Sequence, residues 1–202
     1  MLVPRSDVAL IVVDMQNGFL DGKGSMAALG FDTAPLAAAV HGCGELVEAA
    51  RAADVPVIYT RYVYQPDYAD GGLLPDHLMP AMKDVGALAA GSWDAEIIDA
   101  LAPQPGDLVI DKSRYSAFHG TRLEPALTAR GIRSLVVCGV TTNMCVETTV
   151  RDAGQRDYPT FTVSDATGEF DRERHEHALT TISFGFGWVV DTATVSTAWA
   201  TE

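Results

Sequence analysis

A chain of 202 residues, 48% hydrophobic and 20% charged, is long enough to bury one substantial core and is expected to form a single domain, 1–202. Its formal net charge of −13 would be repelled by polyanions, which excludes nucleic acid and anionic membrane surfaces as partners and leaves a small-molecule substrate. Cys43, Cys138 and Cys145 form no even framework and no CxxC pair, so a reducing, cytoplasmic setting is expected.

The first predicted strand is Val8 to Val13, a continuous apolar run ending at Asp14. Such a run marks a strand buried on both faces of a parallel sheet. Met15 to Phe31 is glycine-rich and irregular, and Pro35 opens a helix to about Ala53. Val55 to Tyr62 is the second strand. The connection from Val63 to Gly91 is long enough to be a lid, a binding loop or a subunit contact. A short helical piece, Ile97 to Leu101, precedes a Pro-Gly turn and a third strand, Asp107 to Asp111, which delivers Lys112.

Ser113 to Gly120 is a polar and aromatic loop, followed by a helix over Leu123 to Arg130 that Gly131 ends. In Ser134 to Asp152, a β-branched run stops at Gly139, and a Thr-Thr-Asn cluster leads into a helix from Asn143 to about Arg156. Its first turn carries Cys145, where free N–H groups and the helix dipole are expected to favour the thiolate. Thr160 to Val163, the helix Arg172 to Phe184, an edge strand Trp188 to Val190 and a short tail from Thr192 complete the chain. Strands alternating with helices predict a three-layer α/β/α architecture, Rossmann-like, around a six-stranded, mostly parallel sheet. Long loops and an apolar edge point to a homo-oligomer, a dimer or tetramer.

In a parallel sheet, function gathers beyond the carboxyl ends of the strands. Asp14, Lys112 and Cys145 all fall there, on three different strands. Taken singly, each has a plain structural explanation: a turn former, a snorkelling lysine and a small buried residue. Their chemistry fits together, however. A carboxylate takes the proton of the thiol, an ammonium polarises both, and the thiolate attacks an amide or ureide carbonyl. The Thr141 and Cys145 N–H groups are the expected oxyanion hole.

The residues Val12-Val13-Asp14-Met15-Gln16-Asn17, Lys112 with Arg114-Tyr115-Ser116-Ala117-Phe118, and Gly139-Val140-Thr141-Thr142-Asn143-Met144-Cys145-Val146 with Arg151-Asp152-Ala153 resemble the isochorismatase-like cysteine hydrolases. The resemblance runs from Val8 to about Asp191. It implies a six-stranded parallel sheet, an Asp14, Lys112 and Cys145 triad, and a cis peptide between Val140 and Thr141 that turns the Thr141 N–H toward the oxyanion. Within the family, the likeness is to amidohydrolases of ureido and carbamoyl compounds, such as ureidoacrylate, biuret and N-carbamoylsarcosine hydrolases. Nicotinamidases of this family carry an Asp-x-His metal pair where this chain has Tyr62 and Tyr64. Isochorismatases proper lack the cysteine. Both nicotinamide and vinyl-ether hydrolysis are therefore disfavoured.

No cofactor and no metal are expected. His175 and His177 are two apart on a helix and point in different directions, and the GxGxxA of Gly22 to Ala27 begins eight residues after Asp14. Candidate substrate contacts are Phe19, Asn17, Trp93, Tyr115, Phe118 and His119 in the loops, with Arg61 and Arg114 as carboxylate binders. The alternatives are an isochorismatase-type ether or ester hydrolase that uses no thiol nucleophile, a binding protein with an idle site, and a nicotinamidase-like amidase. Replacement of Cys145 separates the first of these, and a screen for ammonia release the second.

Overall fold

The computed structural model of the protein describes residues 2–200. Six strands form one sheet: β1 (Val8–Val13), β2 (Val57–Tyr62), β3 (Leu108–Lys112), β4 (Ser134–Val140), β5 (Thr160–Gly168) and β6 (Trp188–Val190). Their order is β3-β2-β1-β4-β5-β6, and every pairing is parallel. Every residue of β1 and β4 is buried, as expected for central strands covered on both faces.

The main helices are α1 (Ala39–Ala52), α2 (Leu123–Ala129), α3 (Glu147–Gly154), α4 (Arg172–Gly185) and α5 (Thr192–Trp199). From β1 the chain steps outward through β2 to β3, and from β4 it steps the other way through β5 to β6. Right-handed crossovers that run in opposite directions place their helices on opposite faces. Accordingly α1 packs with α5, and α3 packs with α4. The direction reverses between β1 and β4, which opens the crevice where such sheets bind ligands.

Three local differences from the sequence expectation bear on the site. The segment after Thr192 is not a tail. It is α5, capped by the Asp191 side chain, which accepts the Thr194 N–H at 2.8 Å. Trp199 is buried at its end and donates from Nε1 to the Pro4 carbonyl at 3.0 Å. Strand β5 continues past Val163 to Gly168, because its register against β4 jumps from Val137↔Thr162 to Gly139↔Thr167 and absorbs the polar Ser164 and Asp165 as a bulge. The helix expected from Asn143 begins as a π-helical turn, Thr142–Val146, before α3.

Gly139 permits the close approach of β4 to β1. It has φ +110°, and a Cβ there would lie 2.1 Å from the Val13 carbonyl oxygen, a separation that only glycine avoids.

Candidate active site

Strand β1 ends at Val13 and hands on Asp14 at φ 51°. The Asp14 N–H donates to the Thr60 carbonyl at 3.1 Å, and its Oδ1 accepts the Thr60 hydroxyl at 2.7 Å. Strand β3 delivers Lys112 beside Tyr62 of β2, its register partner. After β4, the peptide between Val140 and Thr141 is cis, and the π-helical turn brings in Cys145. All three side chains lie in the interior: Asp14 is 0%, Lys112 3% and Cys145 3% exposed.

The Lys112 ammonium joins them. Its Nζ donates to Asp14 Oδ2 at 2.6 Å, to the Arg114 carbonyl at 3.1 Å and to Cys145 Sγ at 3.4 Å. Three acceptors for three N–H bonds satisfy the buried cation. The Tyr62 ring lies 4.4 Å from Nζ, a cation–π contact that adds to the support.

The electrostatics bear on one sequence expectation. Burial pushes the Cys145 thiol well above its ordinary range; Lys112 pulls it down and Asp14 pushes it up, and burial prevails. Burial thus opposes the thiolate expected at the helix terminus, because 3% exposure removes the water that would solvate an anion. Desolvation alone pulls Lys112 down, but Asp14 and Cys145 outweigh it and hold the ammonium above its ordinary value. A carboxylate and a protonated thiol on one charged lysine can pass a proton between oxygen and sulfur.

The Thr141 N–H donates to no protein acceptor among the described residues. Above the sulfur lies a cavity of about 340 Å³, reached by Phe19, Tyr62, Tyr115, Thr141, Asn143 and Glu169, with methionine, leucine and phenylalanine walls. Glu169 is buried there, its oxygens accepting the Asn143 and Phe170 N–H groups at 3.1 and 3.0 Å. Burial raises its carboxyl pKa against the pull of those two donors.

The isochorismatase domain matches the chain over residues 8–194. The chain belongs to the isochorismatase family. It is 40% identical to the ureidoacrylate amidohydrolase RutB of Azorhizobium caulinodans, over 98% of this chain and 92% of that one. Among solved structures, a cysteine hydrolase from Pseudomonas syringae pv. phaseolicola superposes with a TM-score of 0.90 at 38% identity, covering 98% of this chain and 95% of that one. The N-carbamoylsarcosine amidase of Thermoplasma acidophilum gives 0.72 at 28% identity, covering 92% and 96%.

In this isochorismatase-family chain, two of the predicted substrate contacts, Phe19 and Tyr115, line the cavity. The others are placed elsewhere. Arg61 is paired with Asp111 at 2.7 and 2.9 Å at the β2–β3 edge. His119 lies in a separate polar depression with Asp70 and Arg114. Phe118 is buried against Tyr158 and the Arg156 guanidinium. Asn17 donates from Nδ2 to the Trp93 carbonyl at 2.9 Å, and Trp93 is 48% exposed. Arg114, the second candidate for a carboxylate, is engaged with the Asp70 and Gly71 carbonyls and so holds the 63–91 connection against the end of β3.

Sequence reasoning passed over Tyr62, Glu169, Arg174 and the methionines of the cavity. Tyr62 had a usable signal, since it ends β2 in the pairing position next to Lys112. Among the described residues no group of three His, Cys, Asp or Glu side chains gathers as a metal site. His175 instead meets the Thr142 hydroxyl at 2.9 Å and backs the elbow.

Proposed function

We propose that the protein is a cysteine-dependent amidohydrolase that cleaves a C–N bond of a small linear amide, ureide or carbamoyl compound without a cofactor. The observation that carries this is the single buried ammonium bonded to both a carboxylate and a thiol, Lys112 Nζ to Asp14 Oδ2 at 2.6 Å and to Cys145 Sγ at 3.4 Å. The names borne by the relatives, ureidoacrylate amidohydrolase and N-carbamoylsarcosine amidase, support the same class.

Asp14 takes the thiol proton as the sulfur attacks the carbonyl carbon. The oxyanion is held by the N–H groups of Thr141 and Cys145. Protonated Asp14 then gives its proton to the leaving nitrogen, which departs as ammonia or an amine and leaves a thioester. Asp14 next removes a proton from water, and the resulting attack releases the acid and restores the thiol. Lys112 stays charged throughout and stabilises whichever partner is anionic.

The reading carries a cytoplasmic location, in keeping with three unpaired cysteines, one hydrolase domain, and a homo-oligomer, in keeping with the exposed Leu73, Leu78, Phe184 and Trp188. No helix among the described residues is long and apolar enough to cross a membrane.

The decisive experiment is ammonia release from a panel of ureides and primary amides by the wild type and by Cys145→Ala. The variant is expected to lose at least about a thousandfold in kcat/KM. Ammonia release retained in the variant would overturn the cysteine-dependent reading.

A further inference from the structure

The chemistry above uses the floor of the cavity and leaves its walls without a task. Those walls are hydrocarbon and thioether. Phe31 and Phe170 stack with ring centroids 4.8 Å apart, and Met26, Met79, Met82 and Leu74 complete the lining. Met26 and Met82 are 5% and 3% exposed, so the surface they present belongs to the interior. Methionine walls adapt to the shape of an apolar guest. Met144, 43% exposed, carries the apolar surface out to the mouth.

The charges in the cavity point the same way. The three N–H bonds of Lys112 are all taken by protein acceptors. Glu169 is a buried carboxyl group facing the same space, and the remaining cation of the lining, Arg174, stands exposed at the rim. An anion inside would meet Glu169 with no free buried cation to pair with it. A volume of about 340 Å³ falls in the range of pockets that hold whole small molecules, and a carbamoyl group alone leaves most of it unfilled.

We infer that the substrate is a primary amide or monosubstituted urea bearing an uncharged hydrocarbon substituent, alkyl or aryl, which fills the space between the Phe31–Phe170 stack and the methionines. This rests on the amidohydrolase reading and narrows it, away from compact polar or carboxylated ureides.

The test is ammonia release by the full chain from linear primary amides and monoalkyl ureas of increasing length, each paired with a counterpart ending in a carboxylate. The expected result is a kcat/KM that rises about fourfold per methylene until the cavity is full, with each carboxylate-terminated partner at least about tenfold below its neutral match. Met79→Gln is expected to reduce the ratio of longest to shortest substrate by at least about tenfold, and Met79→Leu to restore it. That ratio is internal to one sample, so partial misfolding cancels. Turnover that is flat or falling with length, a preference for the carboxylated members, or an unchanged ratio in Met79→Gln would overturn the inference and leave the amidohydrolase standing. Absence of ammonia from every compound would overturn the parent reading as well.

Discussion

At Lys112, the proposed chemistry and the stability of the fold rest on one buried charge, and mutation separates the two. Lys112→Ala leaves the Asp14 carboxylate, 0% exposed, without its cation. The expected cost is about 3–5 kcal/mol, read as a lowered urea midpoint together with loss of turnover. The double variant Asp14→Asn, Lys112→Met removes both charges and is expected to recover most of that stability while remaining inactive. A double variant as unstable as the single one would show that the ion pair is not the cause. The placement of Asp14, Lys112 and Cys145 was legible because each follows an apolar run that ends at the carboxyl edge of the sheet. Arg61 was not, for a reason of strand geometry. Successive side chains on a strand point to opposite faces. Since Tyr62 faces Lys112 at 4.4 Å, Arg61 points away and meets Asp111, which alternates with Lys112 in the same sense.

Among the elements, α5 is where local reading failed most plainly. Thr192 to Trp199 offers a weak apolar pattern, yet Val195 and Trp199 stand four apart on one face and both are buried. An Asp191 cap followed by that spacing is a usable helix signal. What makes the segment fold is its docking against α1 and the Trp199 bond to Pro4, which no window of eight residues contains. Trp199→Ala is expected to destabilise the protein by about 3–5 kcal/mol, measured by chemical denaturation. A change under about 1 kcal/mol would mean that α5 is peripheral. The elbow after β4 is a second case: its β-branched run, glycine and following helix were readable, whereas the π-helical turn that carries Cys145 depends on packing against α4 and β4.

For the whole molecule, burial of weak acids has one collective consequence. Burial raises the Tyr59 and Tyr64 hydroxyls to about 12 and lifts Tyr62 and Cys145 further. Contact with Cys43, together with burial, raises Cys138. Each group therefore holds its proton more tightly folded than unfolded. Their contribution is fully present below the unfolded values near 9.0 for cysteine and 10.0 for tyrosine. It is lost as pH rises, because the unfolded chain releases those protons first. The raised Lys112 acts in the same direction. The Tm is expected to be level from about pH 7 to 8.5 and to fall steadily from about pH 9 to 11. A Tm unchanged at the alkaline end would contradict the buried, protonated state assigned to these groups.

What the amino-acid sequence determined by itself was the succession of strands and helices, the parallel three-layer architecture and the identity of an acid, a lysine and a thiol at three strand ends. These follow from periodicity, turn chemistry and the handedness of crossovers, all of which act over short stretches of chain. The tertiary structure alone decided which loop side chains face the cavity, that burial pushes the Cys145 thiol up, and that the walls are methionine and phenylalanine. Side-chain direction and local dielectric are set by contacts between segments distant in sequence, 98 residues apart in the bond from Lys112 to Asp14, and no local pattern encodes them.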